Sequence, residues 1–96
     1  MDYELLGIRA QGATSYETAL VYLRFKNVGT LEGSALAELY VNGVKRADRW
    51  VTDPTGDGPG RNSLPITYGA PGNYVIEVRL TSDTGTDSLT ITKSIR

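Results

Sequence analysis

The dipeptide Asn42-Gly43 constrains the fold more than any other feature of this chain. Both central residues of a type I′ turn need positive φ, and Asn-Gly adopts that conformation at low cost. Apolar residues flank the dipeptide, in the run 35–41 before it and at Val44 after it. We therefore predict a tight β-hairpin whose second strand covers residues 44–52.

Segments of alternating apolar and polar residues recur along the whole chain. The clearest is 74–80, in which every second position is apolar, and such alternation predicts a half-buried strand. Seven segments of this kind, with turn residues roughly every 8–12 positions, predict an all-β fold. The expected architecture is an immunoglobulin-like antiparallel two-sheet β-sandwich, and a small barrel is the alternative. A length of 96 residues predicts one domain, 1–96.

Alternation also predicts which side chains share a face of each strand. The third strand is expected to point its apolar set inward. The predicted sets are Leu6, Ile8 and Ala10; Val21, Leu23 and Phe25; Ala35, Ala37, Leu39 and Val41; and Arg46, Asp48 and Trp50.

Several positions carry local structural signals. Residues 53–62 hold two prolines and several glycines, so we predict an irregular loop there. Pro65 lacks an N–H group, which places its strand at a sheet edge. Tyr74 follows a Pro-Gly turn, where a tyrosine corner would bond a backbone group a few residues upstream. Asn27 is placed for an Asx turn that ends at Gly29.

The charge balance argues against a nucleic-acid partner. Ten basic and eleven acidic residues give a net charge of −1, with no block of one sign, so no nucleic-acid partner is expected. The longest basic stretch, Lys45-Arg46, is interpreted as part of a solvated edge strand.

No apolar run approaches the ~18 residues that span a bilayer. Residues 1–4 do not resemble a signal peptide, so any targeting or anchoring segment is expected outside these 96 residues.

The residue types also limit the chemistry. The chain has no His and no Cys, which excludes imidazole and thiolate chemistry. The remaining enzymatic hypothesis is a carboxylate pair, either Asp53 with Asp57 or Asp83 with Asp87. No dry cleft is expected around such polar loops. We therefore predict that the protein is not an enzyme and holds no cofactor and no metal.

A ligand-binding module is the alternative function. Residues 53–62 have a faint likeness to a calcium loop, although ordinary turn chemistry explains the same Asp and Gly residues. Trp50 could serve as a stacking platform for a glycan, with Tyr22 and Tyr40 as the other aromatic candidates.

Two pairs of segments resemble known families. Residues 25–30 (FKNVGT) and 37–43 (AELYVNG) resemble the "K-N-x-G … L-Y-x-N-G" pattern of cell-adhesion-related domains in bacterial and archaeal surface proteins. Residues 72–78 (GNYVIEV) and 81–86 (TSDTGT) resemble the closing hairpin of PKD-type domains. These resemblances imply a prokaryotic, extracellular or cell-surface module with an immunoglobulin-like fold. Soluble domains of archaeal flagellum stators and pilins carry similar strands and are the second family indicated.

Four side chains are candidates for a protein-contact surface. Leu36 and Tyr40 are expected to face outward on one sheet, with Tyr22 beside them. Trp50 is interpreted first as a core or half-buried residue, and if exposed it would be a binding hot spot. The predicted function is a structural or adhesion module of a surface protein or filament. Its partners would be proteins: a neighbouring domain, a second copy in a homodimer, or a surface-layer or filament protein.

Overall fold

The structure is a computed structural model that describes residues 3–29, 33–53 and 59–96. Within these ranges the chain forms seven strands and no helix. Every pair of neighbouring strands runs antiparallel. The strands are β1 Tyr3–Ala10, β2 Thr18–Asn27, β3 Ser34–Val41, β4 Val44–Thr52, β5 Gly60–Thr67, β6 Gly72–Ser82 and β7 Gly85–Ile95.

The strands divide into two sheets. A three-stranded sheet has the order β1-β2-β5, and a four-stranded sheet has the order β4-β3-β6-β7. The sheets are separate, so the fold is the predicted immunoglobulin-like β-sandwich and not the barrel alternative. β5 carries Pro65 and lies at an edge of its sheet, as predicted, because an edge position spares proline a ladder hydrogen bond.

The core fills the space between the inner faces of the two sheets. All four inward positions predicted on β3 are buried, and so are the three predicted on β2. Large apolar side chains that become fully buried each contribute about 1.5–3 kcal/mol to folding. The largest fully buried apolar side chains are Tyr68, Phe25, Leu23, Leu39, Leu64, Ile76, Leu80, Val21 and Val78.

The hairpin between β3 and β4 has the predicted geometry. Asn42 and Gly43 have φ values of 51° and 82°, which the type I′ turn requires. Asn42 also joins the hairpin to β6. Its N–H donates to the carbonyl of Val75 at 2.8 Å, and its Oδ1 accepts from the N–H of Val75 at 2.9 Å. The residue that permits the turn therefore also ties it to the neighbouring strand.

A β-bulge changes the faces of β1. The register passes from Leu5 opposite Phe25 to Gly7 opposite Arg24, which leaves Leu6 as the extra residue. Leu5 is consequently buried, whereas Leu6 is exposed. The prediction that Leu6 shares a face with Ile8 and Ala10 is therefore wrong, because the bulge shifts the alternation by one position.

A second bulge changes β4. Leu39 pairs with Ala47 and Tyr40 pairs with Lys45, so Arg46 is the unpaired residue. Lys45, and not Arg46, therefore shares the outer face with Asp48 and Trp50. The prediction that Arg46 shares a face with Asp48 and Trp50 is therefore wrong. As at Leu6, a strict alternation of faces does not account for an inserted residue.

The loop after β4 is shorter than predicted. Residues 60–62 belong to β5, where they pair with residues 23–25 of β2. Gly60 is accommodated because it lies against the ring of Phe25, where a larger side chain would not fit. The predicted irregular loop otherwise falls largely on residues 54–58, which lie outside the described residues.

Candidate functional site

Trp50 lies on the outer face of the four-stranded sheet and is 68% exposed. The prediction of a core or half-buried tryptophan is wrong. The next residue, Val51, takes the inward position and is 2% exposed, so alternation directs Trp50 outward. An exposed tryptophan on an edge strand presents a large rigid apolar surface, which is the kind of group that dominates binding energy at protein interfaces.

Leu36 and Tyr40 share this outer face with Trp50. Leu36 lies directly opposite Trp50 in the β3–β4 register, and both Leu36 and Tyr40 are half-buried. Glu38 stands between them, and its Oε2 is 3.3 Å from the Tyr40 hydroxyl. We call Trp50, Leu36 and Tyr40 the tryptophan surface. Its apolar centre is the Trp50–Leu36 pair, while Tyr40 belongs to a charged neighbourhood.

That charged neighbourhood consists of compensated pairs. Lys45 Nζ lies 3.2 Å from Glu38 Oε2 and 2.7 Å from Asp48 Oδ2, and hydrogen bonds to these carboxylates raise the pKa of Lys45. Arg79 donates to both carboxylate oxygens of Glu77, which raises the pKa of Arg79. Exposed pairs like these add little to stability, but charges near an edge strand discourage uncontrolled strand pairing.

The aromatic candidates do not form one platform. Tyr22 is on β2, in the other sheet, so the prediction that it lies beside Leu36 and Tyr40 is wrong. The guanidinium of Arg79 lies 3.9 Å from the centre of the Tyr40 ring, and that of Arg9 lies 5.3 Å from the centre of the Tyr22 ring. Trp50, Tyr22 and Tyr40 therefore do not line up as a stacking surface for a glycan.

Asp53 opens the candidate calcium loop, yet its carboxylate is used for structure. Asp53 is 5% exposed, and its Oδ2 accepts a hydrogen bond of 2.9 Å from the N–H of Asn27. The Asp53 N–H donates to the hydroxyl oxygen of Tyr3 at 3.0 Å, and that hydroxyl donates to the carbonyl of Gly33. Asn27 Oδ1 accepts from the N–H of Gly29, which confirms the predicted Asx turn. Asp53 thus holds three chain segments together.

The two residues of the other candidate carboxylate pair, Asp83 and Asp87, have different surroundings. Asp87 Oδ2 accepts from the N–H of Leu5 at 2.8 Å, and its Oδ1 accepts from the N–H of Ser88 at 3.0 Å. Asp87 therefore connects β7 to β1 across the sheets, whereas Asp83 is an exposed turn residue. In residues 3–29, 33–53 and 59–96, no group of three or more acidic side chains is placed to hold a metal ion.

A cleft of about 590 Å³ lies at one end of the sandwich, lined in part by Arg46, Tyr68 and Tyr74. Its hydroxyl groups are engaged. Tyr74 donates to the carbonyl of Ala70 and accepts from the N–H of Gly69 at 3.0 Å, which confirms the predicted tyrosine corner. Tyr68 donates to the carbonyl of Gln11 at 2.6 Å, and burial raises the pKa of its hydroxyl. Both tyrosine hydroxyls are therefore committed to hydrogen bonds that hold the fold together.

Sequence reasoning missed a second surface, on the three-stranded sheet. Arg9, Arg24 and Arg61 come from three different strands and line one cleft around Tyr22. They are far apart in sequence, so no basic run marks them. The signal that could have found them is the outward register of each strand combined with the strand order β1-β2-β5.

Comparison with known proteins places the fold. No family model matches the chain, and no curated protein matches it. Among solved structures, the chain is similar to the CARDB domain of a Pyrococcus furiosus protein, solved in complex with di-metal ions. The TM-score is 0.77 at 16% sequence identity, and the match covers 98% of this chain and 92% of the other. At this identity the likeness establishes the shared immunoglobulin-like sandwich.

Residues 3–29, 33–53 and 59–96 contain no helix that is long and apolar enough to cross a membrane.

Proposed function

We propose that the protein is a non-catalytic structural or adhesion module, a single domain of an extracellular prokaryotic surface protein or filament, which acts through protein contacts. The carrying observation is Trp50, 68% exposed on an edge strand and directly opposite the half-buried Leu36. A rigid aromatic side chain beside an aliphatic one is a suitable anchor for a protein interface. A second copy of the chain is the partner that we test first.

Three further observations support this proposal. The fold is shared with a CARDB domain, and the motifs at 25–30 and 37–43 resemble cell-adhesion-related domains of prokaryotic surface proteins. The carboxylates of Asp53 and Asp87 accept backbone hydrogen bonds, so they are committed to the fold. An archaeal flagellum stator or pilin-like protein is one setting in which such a module would serve as a filament component.

Sedimentation velocity over a wide range of concentration tests the proposal. We expect wild-type protein to self-associate and the Trp50→Ala variant to weaken that association at least about tenfold. Val44→Ala is the matched control, because Val44 is also exposed on β4 but lies at its other end. A wild-type protein that remains monomeric throughout, or an equal loss in Val44→Ala, would overturn self-association through this surface.

A further inference from the structure

The outer face of the three-stranded sheet carries a basic cleft of about 340 Å³. Arg9 from β1, Arg24 from β2 and Arg61 from β5 line it around the half-buried Tyr22, and all three arginines are exposed. Gly7 pairs with Arg24 in the β1–β2 register, and a Cβ atom at Gly7 would meet nothing within 4 Å. The face is therefore open at the β1 position opposite Arg24.

The three arginines of this cleft have no carboxylate partner among the described residues. In the described part of the chain, no carboxylate oxygen lies within 4 Å of Arg9, Arg24 or Arg61, since the salt bridges there involve Lys45 and Arg79 on the other sheet. Lys26 adds a fourth basic residue to the face. Glu4, opposite Lys26, is the one acidic strand residue on it. The face is thus strongly basic on a chain whose net charge is −1.

The arrangement also works against the stability of the sheet. Arg24 and Arg61 are direct cross-strand partners, and like charges in that position destabilise a sheet. A local rule that is broken without a compensating contact is typical of a binding site, because the missing counter-charge arrives with the ligand. Asn62 also lines the cleft, but its side chain lies on the inner face of β5, where its Oδ1 accepts a hydrogen bond of 3.0 Å from Arg49 Nη1 of the other sheet.

We propose that this basic cleft binds a Glu- or Asp-rich segment of a partner protein. Guanidinium groups match carboxylates in a planar, bidentate geometry, and arginine clusters are a common means of recognising acidic motifs. A glycan is disfavoured because Arg9 lies over the Tyr22 ring, which is the only aromatic side chain lining the cleft among the residues that the structure describes. A second copy that docks through its four-stranded sheet is disfavoured as well, because Glu38, Glu77 and Asp48 on the outer face of that sheet already pair with their own cations.

Fluorescence anisotropy with a labelled Glu-rich peptide tests the proposal, with a Gln-for-Glu peptide of equal length as the uncharged control. We expect the Glu peptide alone to bind, with an affinity that falls as salt is added. The double variant Arg24→Gln/Arg61→Gln should weaken binding at least about fivefold. Arg46→Gln removes one positive charge outside the basic cleft and should leave binding unchanged.

A second measurement separates a binding role from a structural one. Arg61→Gln removes the repulsion from Arg24, so its melting temperature should rise by about 1–5 °C while peptide binding falls. The proposal is overturned if both peptides bind equally, if Arg46→Gln weakens binding as much as the double variant, or if oligogalacturonate binds and the Glu peptide does not. None of these results tests self-association through Trp50, which sedimentation velocity measures. The two proposals can therefore fail independently of each other.

Discussion

Replacing Asp53 by Ala tests whether this carboxylate is a structural residue or part of a ligand loop. The substitution removes the acceptor of the Asn27 N–H, which lies in a buried region. A buried donor without a partner costs about 1–3 kcal/mol. For a domain of this size, each kcal/mol lowers the melting temperature by roughly 4–8 °C. We therefore expect Asp53→Ala to melt about 5–20 °C below the wild type.

Two variants serve as references in urea unfolding followed by circular dichroism. Asp53→Asn keeps an oxygen acceptor and loses only the charge, so its cost should be about 1 kcal/mol. Asp83→Ala removes the same charge from an exposed turn and should change stability by no more than about 0.5 kcal/mol. The reasoning is refuted if Asp53→Ala unfolds at the same urea concentration as the wild type, because the Asn27 N–H would then not depend on this carboxylate.

Three further predictions concern other contacts. Gly60→Ala should destabilise the fold by about 1–3 kcal/mol in urea unfolding, since the new Cβ would lie 2.6 Å from the ring of Phe25; unchanged stability would show that the ring can move aside. Tyr74→Phe removes the hydroxyl of the tyrosine corner and should cost about 1 kcal/mol by calorimetry, whereas Tyr16→Phe, on an exposed ring, should cost nothing measurable. Two backbone N–H groups, those of Ala13 and Thr14, donate to Glu17 Oε1 and lower the pKa of Glu17 from 4.5. The wild type should therefore be more stable than Glu17→Gln above pH 4.5. This difference in unfolding free energy should shrink as the pH falls through the lowered pKa. An advantage that persists unchanged at lower pH would contradict this assignment.

The features that local chemistry determines were predictable from the sequence. Asn42-Gly43 permits positive φ at two successive positions, and the turn forms there. Alternation placed the inward residues of β3 correctly, because side chains in a strand have a strict period of two. Tyr74 and Asn27 could be assigned because their hydrogen-bond partners lie only a few residues away.

The features that depend on register or on strand order were not predictable. The bulges at Leu6 and Arg46 each insert one residue, and no residue type at these positions indicates a bulge. Tyr22 and Tyr40 both face outward, but their separation on two sheets follows from the topology and not from either strand alone.

The same limit applies to the candidate sites. The charges of Arg24 and Arg61 meet only because β2 pairs with β5, so the basic cleft is invisible to any scan for basic runs. Trp50 is exposed because Val51 takes the inward position. The sequence alone did not decide which of the two residues points inward, because Trp50 has charged neighbours on one side and an apolar neighbour on the other.

Fluorescence of Trp50, the only tryptophan in the chain, measures the proposed contact surface most directly. In dilute solution we expect emission typical of water-exposed indole, with ready quenching by acrylamide. As protein concentration rises, the emission should shift to the blue and quenching should decrease, and the Leu36→Ser variant should require higher concentrations for the same change. Emission that is already blue and shielded in dilute solution, or that never changes with concentration, would contradict a contact surface centred on Trp50.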